Sequence, residues 1–355
     1  MQRYKFHLFI TPIYYWKCFR YGLFGVGKNQ MNQIANVHKN DLIFIYTTHK
    51  IGSRTRPFIY GPFKVISEPF FNDELVWAED PKTGKDKYPY RIKIDTTPEH
   101  ICEKPISAQK LYDLREEGRI KSVIDSSALI NKSVINLLPS EGKLILESLI
   151  QQNSQSSNKE SPKKGHTFKE NNFDPGEFVR EKLKEFRLES QLETYLLKNQ
   201  EKMNALTQFM KDSKSQYYVD IYNQVSTYIA GGSIDIIAVY EKNLFGMWLK
   251  LGAAVFELKK GVLELETIEQ LIEYIEWTAR LFPGIKKEMI QGIVVGRSFG
   301  MQEKRRREII DKLNGYKRLY KLVCYTYLVD AKNDVIFTKL PSGINLMTTN
   351  INTDK

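Results

Sequence analysis

Residues 231–274 hold side chains that could together act on a phosphate: Asp235 in Gly232-Ser-Ile-Asp235, the pair Glu257-Leu-Lys259, and Gln270 with Tyr274 four positions on. Asp235 and Glu257 offer hard oxygen ligands suited to Mg²⁺ or Mn²⁺. Lys259 could orient or activate an attacking water and offset charge on a pentavalent phosphorus. Residues two apart in a strand face the same way, so Glu257 and Lys259 share a face while Leu258 turns to the core. A carboxylate and an ammonium side by side are costly to bury unless they serve a metal or a phosphate. At i and i+4 of a helix, Gln270 and Tyr274 could reach the phosphate or brace Lys259. The competing reading of the same string is an edge strand with exposed charges, with Asp235 a turn residue.

The elements that must position these groups are legible around them. A mostly helical stretch covers Glu177–Ala205, followed by a strand at Tyr217–Tyr222 and the two strands carrying the acids. The 22 residues from Asp235 to Glu257 leave room for an intervening strand or a hairpin. A helix at Thr267–Leu281 stops at Pro283-Gly284, and a strand at Met289–Val295, a basic helix at Gln302–Asn314 and a strand at Tyr320–Leu328 complete the series. The order α-β-β-β-α-β-α-β describes a compact α/β domain with a mixed sheet.

The first 150 residues read differently. Short strands at Tyr4–Ile10, Asp41–Tyr46, Phe58–Ser67 (broken at Gly61-Pro62) and Tyr90–Asp95 are separated by turn residues, which suggests a small barrel. Helices are expected at Ser107–Glu117 and Ser140–Gln151. Between the halves, residues 151–176 contain almost nothing apolar and read as a flexible linker, giving domains at 1–150 and 177–355.

Composition narrows the classes. Three dispersed cysteines argue against a disulfide framework and suit a reducing cytoplasm, and five scattered histidines argue against a His-rich metal site. The sequence has no signal-peptide pattern and no apolar run long enough to cross a bilayer, so a membrane role is not expected. The net charge of +11 is spread over both halves, with 22 Lys and Arg against 16 Asp and Glu in residues 1–150 and 31 against 26 beyond. A polyanionic partner fits this balance, and so does simple solubility. The run Lys304-Arg305-Arg306-Arg307 offers contacts to a DNA backbone or a solvated helix face.

The ordered set Gly232-Ser-Ile-Asp235, Glu257-Leu-Lys259 and Gln270-Leu-Ile-Glu-Tyr274 resembles the PD-(D/E)XK nuclease superfamily, nearest to its RecB-like and archaeal mismatch- or branched-DNA members. The resemblance covers about residues 180–300 and implies an α/β nuclease fold with Asp235 and Glu257 as metal ligands and Lys259, Gln270 and Tyr274 completing the catalytic set. It also implies an acidic residue on the preceding helix, mapped to Glu189 with Glu193, one turn on, as the second choice.

Residues 1–150 offer no catalytic set, but they carry aromatics near turns, among them Tyr14, Tyr15, Trp16, Phe24, Tyr46, Phe58 and Trp77. Such rings can stack on an extruded base or pack a core. The succession of Trp16, Tyr21-Gly-Leu-Phe24, Asn40-Asp41, a strand containing Gly61 and the segment Tyr88-Pro-Tyr-Arg-Ile-Lys-Ile94 is similar to EVE domains of the PUA-like superfamily, relatives of YTH domains. That likeness implies a β-barrel with flanking helices that holds a modified base in an aromatic cage, here Trp16, Phe24 and Trp77. Phe24 departs from the Trp common at its position. Arg54 and Arg56 are candidate phosphate contacts in this half, as Arg305 and Arg306 are in the other.

A base reader joined to a metal-dependent nuclease is the layout of a modification-dependent restriction endonuclease. The expected partner is DNA carrying a modified base, the cofactor Mg²⁺ or Mn²⁺, and the assembly a homodimer where both strands are cut. A loose linker predicts cuts at variable distance. A structure-specific repair nuclease and a non-catalytic reader of modified DNA or RNA are the alternatives.

Overall fold

The structure, a computed structural model, describes residues 4–11, 14–51, 54–96, 102–122, 132–154, 186–210, 216–227, 232–298, 303–316, 319–330 and 334–340. Within these residues the chain is a mixed α/β protein with two sheets, of eight and six strands.

The apolar runs of the first half form β1 (Phe6–Ile10), β2 (Leu23–Val26), β3 (Leu42–Ile51), β4 (Arg54–Val65), β5 (Phe70–Phe71), β6 (Tyr90–Asp95), β7 (Cys102–Ser107) and β8 (Val134–Leu137). They run in the order β2-β6-β4-β3-β1-β8, with β5 beside β6 and β7 beside β4. The strand β4 continues through Gly61-Pro62, where a break was expected, because Gly61 takes a φ of 141° and the pairing shifts register there. The helices of this half are α1 (Tyr15–Tyr21), α2 (Met31–Ala35), α3 (Gln109–Glu116) and α4 (Pro139–Asn153). The helix expected from Ser107 begins later, since Ser107 closes β7.

The second half follows the expected order and adds an edge strand. Helices α5 (Glu189–Lys198) and α6 (Gln200–Ala205) precede β9 (Tyr217–Ser226), β10 (Ser233–Leu244), β11 (Met247–Leu258), α7 (Leu265–Leu281), β12 (Ile290–Gly296), α8 (Glu303–Tyr316), β13 (Lys321–Val329) and β14 (Val335–Lys339). The sheet is mixed: β9, β10 and β11 are antiparallel neighbours, β11, β12 and β13 run parallel, and β14 returns antiparallel. Parallel pairing demands a crossover, and α7 and α8 supply the two. Ile268, Leu271, Ile275 and Thr278 recur at helical spacing and bury one face of α7 against the sheet. Leu192, Leu196 and Met203 cover the opposite face with Phe256 and Ile293. Within the helical stretch expected from Glu177, residues 177–185 lie outside the described residues, and the rest divides at Asn199, whose ψ of 62° is not helical.

Gly252 sits beside a bulge in its own strand β11, where the register passes over Leu251, with a φ of 147°, and a Cβ there would come within 2.1 Å of the Met289 carbonyl oxygen. Gly252→Ala is therefore expected to destabilise the protein by about 2–4 kcal/mol, combining backbone strain with a contact that only backbone movement relieves. A urea midpoint unchanged from wild type would rule this out.

The two halves are docked. Leu188 packs with the core of the first sheet, and Ala35 with the core over the second. Asn36 Nδ2 donates to Ile221 O at 2.7 Å, Asn136 Nδ2 to Asn223 O at 2.8 Å, and Lys121 Nζ to Arg280 O at 3.1 Å. These contacts join the two halves in this structure. Linker composition reports on the connecting segment alone, whereas docking depends on surfaces distant in sequence. Of the expected linker, residues 151–153 close α4, and 155–176 lie outside the described residues. Among the described residues no helix is long and apolar enough to cross a membrane, and Cys18, Cys102 and Cys324 are free thiols.

Candidate functional site

A tight hairpin brings the two strand acids together. Phe245 and Gly246 form its two-residue turn with φ values of 53° and 82°, the left-handed pair that matches the twist of the flanking strands. The register pairs Ile236 with Phe256, so Asp235 and Glu257 stand opposite one another a step further along. No strand intervenes, which decides between the two options the spacing left open.

Asp235 Oδ2 accepts the Leu258 amide at 2.7 Å, and its Oδ1 accepts Gln224 Nε2 at 3.2 Å. Glu257 is 2% exposed; its Oε1 is 2.7 Å from Lys259 Nζ, while its Oε2 is buried without a hydrogen-bond partner. Burial pushes both carboxyls above their ordinary range, against the Leu258 amide at Asp235 and against Lys259 at both. Asp235 raises Glu257 further. At Lys259 burial pulls downward, but the Glu257 carboxylate, with Glu189 and Asp235, outweighs it and holds the ammonium above its ordinary value. Lys259 is thus a cation beside the acids, suited to orienting a water or a phosphate oxygen.

The helix acids divide the role that was mapped to Glu189. Glu189 is exposed at the first position of α5, close enough to raise Asp235 and Glu257 electrostatically. Glu193, one turn on, is buried: Oε2 accepts Asn32 Nδ2 and Gln224 Nε2, each at 2.7 Å, and Oε1 accepts Asn223 Nδ2 at 3.1 Å. Burial, then the charge of Asp235, raises its carboxyl, and the three amides pull the other way. Neighbours in a strand face opposite ways, yet Asn223 and Gln224 both reach Glu193. Gln224 has a φ of 51°, a left-handed conformation uncommon outside glycine, which breaks the alternation. Gln224 thereby bridges Glu193 and Asp235. The sequence signal for this pair was faint: two amides interrupting the apolar strand around Ile221-Tyr222 and Val225.

On α7, Tyr274 is buried and raised by burial first and by Glu257 next, so its ring lies at the site. Gln270 Nε2 donates to Tyr274 Oη at 2.5 Å. The i, i+4 pair is realised as a bond between its own members, with Gln270 bracing Tyr274 and not Lys259.

The aromatic set of the first half is not brought together as an open cage. Phe24 is 2% exposed, its ring 4.1 Å from that of Phe9 in the core. Trp77 is also buried, against Gly25 and under the Arg91 guanidinium, 5.1 Å from its ring. Trp16 alone is open, at 46%, with Lys17 Nζ 5.6 Å over its ring. In this conformation Phe24 and Trp77 supply packing, because a base needs an accessible ring face. Arg56 is exposed on β4. Arg54 begins β4, and Arg305 and Arg306 lie on α8, but their side chains fall outside the described residues.

Asp235 and Glu257 fit a hard divalent ion by donor chemistry and by the unpartnered Glu257 Oε2. Among the described residues, no group of three or more His, Cys, Asp or Glu side chains stands ready to hold a metal. Two carboxylates would leave the other positions to water and substrate, as Mg²⁺ commonly does.

No family model matches the chain, and no curated protein does. A solved structure described as a hypothetical protein from Leishmania major is similar over 42% of this chain and 97% of its own, with 15% identity and a TM-score of 0.28. A likeness at that score carries no argument about fold or function.

Proposed function

We propose that the protein is a modification-dependent DNA endonuclease: a PD-(D/E)XK nuclease domain in the second half, joined to a PUA-like, EVE-type domain that reads a modified base. The observation that carries the nuclease reading is the buried Glu257, one oxygen unpartnered and the other 2.7 Å from Lys259 Nζ, opposite Asp235. An apolar core would not retain such a group without a ligand to satisfy it.

In this reading Asp235 and Glu257 hold Mg²⁺ or Mn²⁺. When bound, the ion would draw charge from the scissile phosphate and lower the pKa of a water. Lys259 presents its ammonium protons to the attacking water or a phosphate oxygen, held in place by Glu257. Leu258 N–H and Gln224 fix the two oxygens of Asp235. Tyr274, braced by Gln270, walls the site on the α7 side. The exposed Glu189 lies within electrostatic reach of both acids, where it can act on a water. Exposed Trp16 and Arg56 are the available contacts for DNA on the first half. Because the halves are docked, the cut is expected at a constant spacing from the base that is read. Cutting both strands would require two copies, as in a homodimer.

The buried Phe24 and Trp77 favour a second reading, in which the target is chosen by DNA shape, as in a repair nuclease for branched or mismatched substrates. One panel separates the readings: linear duplexes carrying methyladenine, methylcytosine, hydroxymethylcytosine or no modification, beside unmodified branched DNA, each with Mg²⁺, Mn²⁺ or EDTA. The first reading expects metal-dependent cutting of one modified duplex only. Equal cutting of branched unmodified DNA would transfer the assignment to the second, and EDTA-resistant cutting that persists in Asp235→Ala would remove both.

A further inference from the structure

A continuous path of buried and half-buried polar groups runs from the first sheet to the candidate acids. It starts at Asp41, whose Oδ2 is 3.0 Å from His7 Nε2, and passes through His7 Nδ1, 3.0 Å from Asn136 Oδ1. Asn136 Nδ2 donates to Asn223 Oδ1 at 2.9 Å, and Asn223 Nδ2 to Glu193 Oε1 at 3.1 Å. Glu193 and Asp235 then share the Gln224 amide, at 2.7 and 3.2 Å. Asp41, His7 and Asn136 belong to the first half; Asn223, Glu193, Gln224 and Asp235 to the second. Two more groups of the first half enter at the end of the path. Asn32 donates to Glu193 Oε2 at 2.7 Å and receives Asn223 Nδ2 on its backbone oxygen at 2.8 Å. Lys132, two residues before the start of β8, donates from Nζ to the backbone oxygen of Gln224, the residue held in the left-handed conformation.

We propose that the first half completes the nuclease site: Asn32 and Lys132 are positioning residues that fix Glu193 and Gln224, and through them the orientation of Asp235. The physical reason is that Glu193 and Asp235 are neighbouring carboxyls that repel when ionised. Gln224 can hold both only while its own backbone is pinned and Glu193 is saturated by donors. The second half supplies Asn223 and Gln224, and the first half supplies the remaining side-chain donor to Glu193 and the ammonium. That ammonium also lies in electrostatic range of Glu193 and Asp235, and burial lowers its pKa to about 8 against their pull. Partners of ligating carboxylates commonly set metal affinity in this way. The inference rests on the metal-dependent reading above for its consequence, but the positioning itself can be observed without metal.

The test uses the full chain as Asn32→Ala, Lys132→Met, Lys132→Arg and Lys121→Met. Lys121 makes another cross-domain bond, to Arg280 O, so it reports docking alone. Mn²⁺ affinity is measured by calorimetry, and the amide resonance of Leu258, which donates to Asp235 Oδ2, is followed in metal-free protein. Asn32→Ala and Lys132→Met are expected to bind Mn²⁺ about 10- to 100-fold more weakly, with the Leu258 resonance displaced. Lys132→Arg and Lys121→Met should match wild type in both. Wild-type Mn²⁺ affinity with an unmoved Leu258 resonance in Asn32→Ala and Lys132→Met would overturn the proposal. If wild type binds no Mn²⁺, the metal reading fails, and the Leu258 resonance alone decides: displaced in Asn32→Ala and Lys132→Met but not in Lys121→Met, it upholds positioning; unmoved, it overturns it. Should Asn32→Ala fail to fold, Lys132→Met against Lys132→Arg carries the same comparison.

Discussion

On the nuclease reading proposed above, Glu257→Gln is expected to lose metal-dependent cleavage by about three orders of magnitude or more while making the metal-free protein more stable at alkaline pH. The loss follows because the amide removes a ligand oxygen and its charge, and an interaction of several kcal/mol in the transition state is worth a factor of ten per about 1.4 kcal/mol. The gain follows from linkage. Burial and Asp235 raise the Glu257 carboxyl, so the folded protein binds that proton more tightly than the unfolded chain does. The associated stability is fully present below the ordinary carboxylate range and is lost as pH rises through the raised folded value. Wild type therefore carries a buried charge at pH 9 that glutamine does not, a difference of about 1–3 kcal/mol that should shrink toward pH 4. Lys259 loses the charge of its partner in the variant, but the amide oxygen can still accept its proton and at 28% side-chain exposure it can also turn to water, so that loss costs at most about 1 kcal/mol. Urea denaturation in EDTA at both pH values, with cleavage assays on the same preparations, reads out both effects. A variant less stable than wild type at pH 9, or one that still cuts, would refute the assignment of Glu257 as a buried ligand with a raised carboxyl.

Glu193→Leu is expected to destabilise the full chain by about 3 kcal/mol or more, the largest single-site loss of stability at the interface. Its two oxygens accept three amide donors, from the buried Asn32 and Asn223 and the half-buried Gln224. Leucine would leave all three facing an apolar group, and a buried donor without a partner costs about 1–3 kcal/mol. Relaxation of Gln224 toward Asp235 returns part of that. Glu193→Gln should cost less, because one amide oxygen still accepts, although its NH₂ must face a donor. Denaturation midpoints ordered wild type, Glu193→Gln, Glu193→Leu are the expected result. Equal midpoints for the two variants would show that the three donors find other partners and that Glu193 does not hold the halves together.

Local pattern carried the strand acids a long way. Glu257 and Lys259 are two apart, so extended backbone places them on one face; Lys259 lies one residue past the end of β11, where its amide still donates to Val295 O at 2.8 Å, and the 2.7 Å contact follows. The turn residues Phe245-Gly246 lie between Asp235 and Glu257, which are only 22 positions apart, so the hairpin and its register are also a local outcome. The order of helices and strands in the second half was legible for the same reason, with β14 missed because its short strand has few apolar positions. The first half was read less fully. Strands β2, β5, β7 and β8 are 2 to 6 residues long, too short for a period to emerge.

What the sequence determined by itself is therefore the chemistry on offer: two acids and a lysine on one strand pair, with a tyrosine helix to follow, because each depends on spacings of 2, 4 or a single hairpin. Tertiary structure alone decided which helix acid joins Asp235, where the aromatics go, and whether the halves act together. Glu193 meets Asn32 across 161 residues, and Lys132 meets Gln224 across 92, contacts that no local period encodes. Phe24 and Trp77 carry the same composition signal whether they line a cage or fill a core, and only the packing around Phe9, Gly25 and Arg91 places them in the core. Side-chain identity and spacing are properties of the chain, whereas burial and long-range pairing exist only once the two sheets have docked.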